Sequence, residues 1–444
     1  MINIEKWFAE NAIDEVEALI PDFTGMAKGK FVPAERYLAD NGFHIAEGLF
    51  TQTITGDYTD YVDDINPTDA DMRCIPDPET LRIVPWSSYP VAQIIHDCYK
   101  PDDSPVAFAP RHVLRHVLDL YDKKGWTPVV APEIEFYLVK PNTDPDYPLE
   151  PPIGQYGRQE TTRRTFSIDG INQFEDVIDD IYEYSEKQHL NLETLTQEDG
   201  VAQFEVNFMH GDPLDMADQV FLFKRTVRQA AYEHDIYATF MAKPYQGKPG
   251  SSIHLHQSIV DKKHGRNIFI DENDEPNDLF RSYIAGLQKY MPATMAIYAP
   301  NVNSYRRITR YNSAPINTHW GLDNRTVGLR VPMSSADATR VENRVPGADT
   351  NTYLSMAASL AAGYIGMQDK LTPTEPLETS AYDHEITLPR DLYESLRIMN
   401  ESAPIRKILG DEFINLYVEV KRLEYEKFMQ IITPWEREYL LINV

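Results

Sequence analysis

Three two-residue steps constrain this chain more than any other feature: Glu133-Ile-Glu135, His254-Leu-His256 and Glu342-Asn-Arg344. On a β-strand, residues i and i+2 face the same way, so each step predicts two polar groups aimed into one space. The steps lie far apart in the sequence, so a fold that uses them together must build one sheet from distant strands. Glu198 and Glu205 bracket a turn-like run, Glu198-Asp-Gly-Val-Ala-Gln-Phe-Glu205, and supply two more carboxylates. Arg307, Arg325, Arg330, Arg340 and Arg344 follow late in the chain. Carboxylates with an imidazole suit a hard divalent cation such as Mg²⁺ or Mn²⁺. Arginine offers a planar, permanently charged fork that matches phosphate or carboxylate.

Each motif also has a plainer reading. A lone Glu-x-Glu is commonly an exposed strand face, where charges contribute little. The neighbours Ala131, Ile134, Phe136 and Leu138 point instead to a buried strand, on which unpaired carboxylates would be costly. Glu198 and Glu205 alone fit a surface turn equally well. His254 and His256 fit one structural and one exposed ring, and any single arginine fits a salt bridge. No cysteine or third histidine stands near His254, which disfavours zinc.

At 444 residues the chain exceeds a single typical core, so two domains are expected. Residues 100–105, Lys-Pro-Asp-Asp-Ser-Pro, mark the boundary, giving domains 1–104 and 105–444. Strand-like runs fall at 14–22, 81–86, 126–139, 201–208, 251–260 and 326–332, and helical periodicity at 110–121, 174–189, 214–234, 278–297, 351–369 and 411–430. The formal net charge of −27 excludes a general nucleic-acid or anionic-membrane surface, which needs clustered Lys and Arg. Two cysteines, Cys74 and Cys98, cannot staple a chain of this length, which points to a reducing compartment. The N-terminus lacks a secretory pattern and no apolar run reaches membrane length, so a cytoplasmic location is expected.

In order along the chain, these motifs resemble the glutamine synthetase family. Pro249-Gly-Ser-Ser-Ile-His-Leu-His-Gln-Ser258 is similar to its glycine-rich segment ending in His-x-His. Asn324-Arg-x4-Arg-Val-Pro332 and Arg340-Val-Glu-x-Arg344 resemble its phosphate and glutamate motifs. The resemblance implies an α+β fold: an N-terminal β-grasp domain, then a large catalytic domain built on an antiparallel half-barrel sheet with helices. It implies a homododecamer of two hexameric rings with active sites between neighbouring subunits. It implies an ATP-dependent ligase that phosphorylates the γ-carboxylate of glutamate and then joins it to an amine. By motif position, one Mg²⁺ or Mn²⁺ would be held by Glu135, Glu198 and Glu205, and a second by Glu133, His254 and Glu342. His256, Ser258, Arg330, Arg340 and Glu193 would meet ATP. Gly250, Arg307 and Arg344, with Glu135, would hold glutamate, and Arg325 would meet the phosphoryl group in transfer.

The departures from the family pattern concern the acceptor. Glutamine synthetases carry an aspartate in a Phe-Asp-Gly-Ser-Ser segment and a glutamate in a Pro-Gly-Tyr-Glu-Ala-Pro flap, and these form the ammonium site. Here the corresponding segments are Phe50-Thr-Gln-Thr-Ile54 and Arg310-Tyr-Asn-Ser-Ala-Pro315, which place Thr51 and Ser313 where the carboxylates would stand. Losing both charges disfavours ammonium and leaves room for a substituted amine. The pattern is closest to the γ-glutamylpolyamine synthetase branch. An ammonium-using enzyme with a rebuilt site and an inactive structural or regulatory homologue are the alternatives. In the acidic run 57–64, Asp57, Tyr58, Asp60 and Tyr61 are expected to meet the distal ammonium of a diamine. Tyr382 sits in too different a context to predict the adenylylation some bacterial relatives undergo.

Overall fold

The computed structural model describes residues 2–60, 66–310 and 313–444. Two sheets organise the fold. The first contains β1 (Glu15–Pro21), β2 (Ala27–Pro33), β3 (Phe43–Ala46), β4 (Asp71–Pro76), β5 (Arg82–Ile83) and β6 (Val91–Tyr99), in the order β2-β1-β6-β4-β3 with β5 beside β6. β1 and β6 run parallel and the other pairs antiparallel. The expected strand at 81–86 shrinks to two residues because Pro85 cannot donate to a ladder.

The second sheet contains β7 (Trp126–Val139), β8 (Leu192–Gln197), β9 (Gln203–Phe208), β10 (Tyr237–Thr239), β11 (Ile253–Asp261), β12 (Trp320–Leu322), β13 (Leu329–Val331) and β14 (Val341–Asn343). Its order is β12-β13-β14-β11-β7-β9-β8, with β10 on the end of β7. The architecture is α+β, as the sequence leads one to expect. On β7 the even residues Ile134, Phe136 and Leu138 are buried, and Phe136 stacks on Phe204 and Phe240 at 5.8 and 5.7 Å. The odd residues are therefore committed to the opposite face, where the glutamates stand.

The six expected helices form as Pro110–Asp122, Glu175–Lys187, Pro213–Glu233, Asp278–Tyr298, Thr352–Gln368 and Asp411–Phe428. Side-chain caps define several starts: Asp212 accepts from the amides of Leu214 and Asp215, and Asn351 from that of Leu354. Asn351 also donates to the Asp22 carbonyl at 2.7 Å, while Arg225 reaches Glu17 at 2.5 Å, so caps and charges fasten the first sheet to the helices. Among the described residues, no helix is long and apolar enough to cross a membrane.

Candidate active site

The register of the second sheet brings the distant steps together. His254 stands directly opposite Glu133 on the β11–β7 ladder, and Glu135 opposite Glu205 on β7–β9. Farther along, His256 faces Glu342 and Glu342 faces Arg330 on successive ladders. Directly opposed side chains on one face interact, so five strands contribute to one surface. Glu198 arrives from the turn after β8. Its position is fixed by the bond from its amide to the Gln203 carbonyl, 2.8 Å.

Glu133, Glu135, Glu198, Glu205, His254 and His256 line one cavity of about 560 Å³ together with Gly250, Arg307, Ser313, Arg325, Arg330, Arg340 and Arg344, and the buried Glu342 lies against it, bonded to Arg330 and Arg344. A smaller cavity of about 410 Å³ shares Glu133, His256 and Arg340 with it. That second space is walled by Val129, Ala131 and Phe208 and edged by Glu193 and Ser258. An apolar slot with a polar rim, opening onto an arginine-rich cavity, has the form of a place for a base and its phosphates.

Within the cavity the carboxylates differ sharply in their partners. Glu133 meets His256 Nε2 at 2.9 Å and His254 Nδ1 at 3.3 Å. Arg340 Nε donates to His256 Nδ1 at 3.1 Å, which leaves the ring proton on Nε2 for Glu133. Glu342 is fully buried and accepts from Arg344 at 2.6 Å and Arg330 at 2.8 Å. Glu135 accepts both the amide and the hydroxyl of Ser252, at 2.8 and 2.9 Å, and the Gln203 amide group at 3.2 Å. Among the described residues, Glu205 has no hydrogen-bond or ion-pair partner.

Electrostatics follow from those partners. Burial works against the charge of Glu133, but the hydrogen bonds from His254 and His256 prevail and hold its carboxyl well below the usual range. Glu342 is lowered too, burial being outweighed by Arg344 and the two histidines. Burial and the charge of Glu198 push Glu135 up to about 8, and burial with the surrounding glutamates pushes Glu205 up to about 9. Burial likewise raises Glu198. Burial and Arg344 lower His254, leaving a neutral ring able to ligate.

One ligand atom from each of Glu133, Glu205 and His254 lies within a common 4.8 Å sphere of separation, and so do those of Glu133, His256 and Glu342. The residues fit divalent cations: oxygen-rich, with one imidazole per group, and short of positive charge at Glu205. The grouping differs from the partition expected by motif position. Among the described residues Glu135, Glu198 and Glu205 do not form a gathered trio, and Ser252 bonds both Glu135 oxygens. Ser252 and Gln203 are the positioning residues that sequence reasoning passed over; both sat inside runs already singled out for other members.

Gly250 has no room for a side chain. A Cβ there would lie 2.5 Å from the Ala242 carbonyl oxygen and 2.5 Å from Arg307 Cγ, so glycine is what lets Arg307 approach. Arg307 donates to the Val345 carbonyl, yet its buried Nε and that of Arg344 have no hydrogen-bond partner. Buried, unsatisfied guanidinium N–H groups are costly unless a ligand accepts from them. Ser313 reaches the cavity from a left-handed backbone (φ 59°), next to residues 311 and 312, which lie outside the described set.

Thr51 and Asp57 do not line this cavity in their own chain. Thr51 is buried and donates to the Gly48 carbonyl at 2.8 Å. The Asp57 carboxylate is occupied by Lys427 and by the Thr55 hydroxyl at 2.7 Å. Tyr58 and Asp60 line a surface hollow on the helix Asp411–Phe428, away from the cavity, and Tyr61 lies outside the described residues.

Residues 107–440 match the family described as "Glutamine synthetase, catalytic domain". The chain is 33% identical to the γ-glutamylputrescine synthetase PuuA of Escherichia coli over 96% of its own length and 92% of the relative's. It is 31% identical to a glutamate–isopropylamine ligase of a Pseudomonas species, covering 98% and 96%. A glutamine synthetase of Methanosarcina mazei is also 31% identical, covering 96% and 94%. A solved structure described as apo GmaS without ligand superposes with a TM-score of 0.85 at 29% identity, over 100% of both chains.

Proposed function

The chain belongs to the glutamine synthetase family of ATP-dependent ligases, and from that premise we propose that it joins the γ-carboxylate of glutamate to a substituted amine, putrescine or an alkylamine. The observation that carries the reading is the contrast within one cavity. The phosphoryl end keeps Glu133, Glu135, Glu198, Glu205 and His254, with Glu342 buried against them. The acceptor rim offers the neutral Ser313, and the Thr51 segment carries no carboxylate at that position either. A site for ammonium gains from anionic groups that concentrate the cation, whereas an alkylamine gains from space and neutrality. Two relatives whose names specify organic amines support the same reading.

In this reading, Arg307 and Arg344 hold the carboxylates of glutamate through their unpaired Nε–H groups and so orient its γ-carboxylate. Glu193, Ser258 and His256 receive the nucleotide in the apolar slot, and Arg340 and Arg330 reach its phosphates. The oxygen-rich groups around Glu133, Glu205 and Glu342 would hold divalent cations, whose chemistry is to neutralise phosphate charge. Arg325, with no carboxylate within salt-bridge distance among the described residues, meets the phosphoryl group in transfer. The γ-carboxylate oxygen takes the terminal phosphoryl group and ADP leaves. The neutral amine then attacks the acyl carbon, phosphate departs, and the nitrogen loses a proton to solvent. We read residues 1–104 as a domain that brings Thr51 to the active site of a neighbouring subunit in a ring.

Phosphate release with ATP, Mg²⁺, glutamate and a panel of putrescine, isopropylamine, methylamine and ammonium tests the proposal. An organic amine should give the highest kcat/KM. Ammonium as the fastest acceptor would make the protein a glutamine synthetase, and silence with every amine would make it a retired homologue.

A further inference from the structure

A separate cavity of about 670 Å³ lies between the first sheet's Thr24–Met26 turn, residues Ile54 and Thr55, and the helices of the larger part. It shares no lining residue with the catalytic cavity. In a chain of net charge −27, its lining carries five cationic side chains against two carboxylates.

The carboxylates are engaged in full at Glu424 and in part at Asp349, whose buried Oδ1 has no hydrogen-bond partner. Glu424 accepts from Lys421 at 2.8 Å and from the Ile54 amide at 2.7 Å, and Asp349 accepts from Asn301 and Ser304. Lys427 is paired with Asp57. This leaves Lys224, Arg228 and Arg306, none of which has a carboxylate within salt-bridge distance among the described residues. Lys224 and Arg228 stand one turn apart on the helix Pro213–Glu233, and both cations lie over the ring of Phe240, at 5.7 and 5.1 Å. Like charges at that spacing repel. Lys224 is buried, yet its ammonium donates only to the Thr350 carbonyl, at 2.9 Å, so donor capacity is left over. Burial and the neighbouring Arg228 bring it down to about 7, outweighing the more distant charge of Asp349. The remaining wall is largely apolar, with Phe240, Val302, Leu392 and Phe428 facing in.

We propose that this cavity binds an organic anion with an apolar body, a carboxylate on a short hydrocarbon chain, whose head lies between Lys224, Arg228 and Arg306. Charge-assisted bonds to Lys224 and Arg228 would satisfy the repelling pair, and the hydrocarbon would cover the apolar wall. The occupant would also touch Ile54, three residues from Thr51, which gives the site a physical route to the segment proposed to serve a neighbour's active site.

Isothermal titration of the full-length protein with hexanoate, hexylammonium and inorganic phosphate tests the site. Hexanoate should bind, and hexylammonium should not. Arg228→Gln and Arg306→Gln should each weaken hexanoate about tenfold, while ATP turnover without hexanoate stays as in the parent. Absence of hexanoate binding, or binding that both variants leave unchanged, would overturn the proposal. Phosphate binding as tightly as hexanoate would overturn the apolar half of it. The titration uses neither glutamate nor amine, so its failure would leave the proposed reaction untouched.

Discussion

Two buried clusters of charge sit on either side of β7, and they are built to opposite rules. Around Arg111, Asp77, Asp97 and Asp218 lie at 2.9, 2.7 and 2.7 Å; Arg115 reaches Asp77 and Asp97 as well, and Tyr353 donates to Asp218 at 2.6 Å. Every carboxylate there has a guanidinium partner, and the cluster ties β6 to three helices. In the catalytic cluster, Glu342 is comparably paired, but Glu205 has no partner and Glu135 rests on neutral donors. The first cluster neutralises all its carboxylates without a ligand. The second is complete only when cations arrive, and incomplete neutralisation is what separates a binding site from a structural lock.

The largest effect should come from breaking the lock. Arg111→Met leaves three aspartates buried without their central cation and should destabilise the fold by about 3–5 kcal/mol. Urea unfolding measures this, and a loss below about 1 kcal/mol would contradict the assignment. Glu205→Gln should do the reverse. It replaces an unpartnered buried carboxyl, protonated in the metal-free fold at neutral pH, with a neutral amide of the same shape, so the metal-free protein should hold or gain stability, by roughly 2 °C in Tm. Turnover should nonetheless fall about 100-fold, as for loss of a group that positions or holds a catalytic ion. A variant that is both active and unstable would place Glu205 in the wrong cluster.

The pH dependence sharpens the same contrast. Glu135 and Glu205 keep their protons up to about 8 and about 9 in the fold, but release them near the ordinary carboxylate value when unfolded. Between those values the folded state binds more protons, so stability of the metal-free protein falls as pH rises. A divalent cation displaces those protons, and its stabilisation therefore grows with pH. Thermal melts with and without Mg²⁺ at pH 6 and pH 8 should show the larger Mg²⁺ shift at pH 8. Equal shifts would mean that these carboxylates are not where the cation acts.

The two clusters also differ in how far the sequence discloses them. The catalytic one is readable because a strand alternates: Glu133 and Glu135 interleave with Ile134 and Phe136, so face and burial follow from spacing. Arg111, Arg115 and Asp218 lie on ordinary amphipathic helices and Asp77 in a loop, with no periodic mark that they meet. The short strands β3 and β4 and the helices Leu392–Glu401, Ala403–Leu409 and Pro434–Tyr439 escaped for a related reason. A four-residue strand or a seven-residue helix carries too little periodicity to separate from a loop. The grouping of Glu133 with both histidines depends on side-chain rotamers and on Ser252 capturing Glu135, which no spacing encodes. The acceptor could be approached only by what is missing, at Thr51 and Ser313.

The smallest expected effect concerns a third kind of charge pair, Asp57 with Lys427, which is exposed. The acidic run was expected to receive a diamine, and in a neighbouring subunit's site an exposed aspartate could still do so. Within its own chain, however, Lys427 and Thr55 already hold its carboxylate, and those bonds lower its pKa. Recruiting it for putrescine would mean giving up that pair, and exposed pairs and exposed ammonium contacts are similar in strength, so little is gained. Asp57→Asn should therefore change the KM for putrescine less than twofold and leave the KM for isopropylamine alone. A rise confined to putrescine would show that Asp57 leaves Lys427 for the diamine, and would add the N-terminal segment to the incompletely neutralised class.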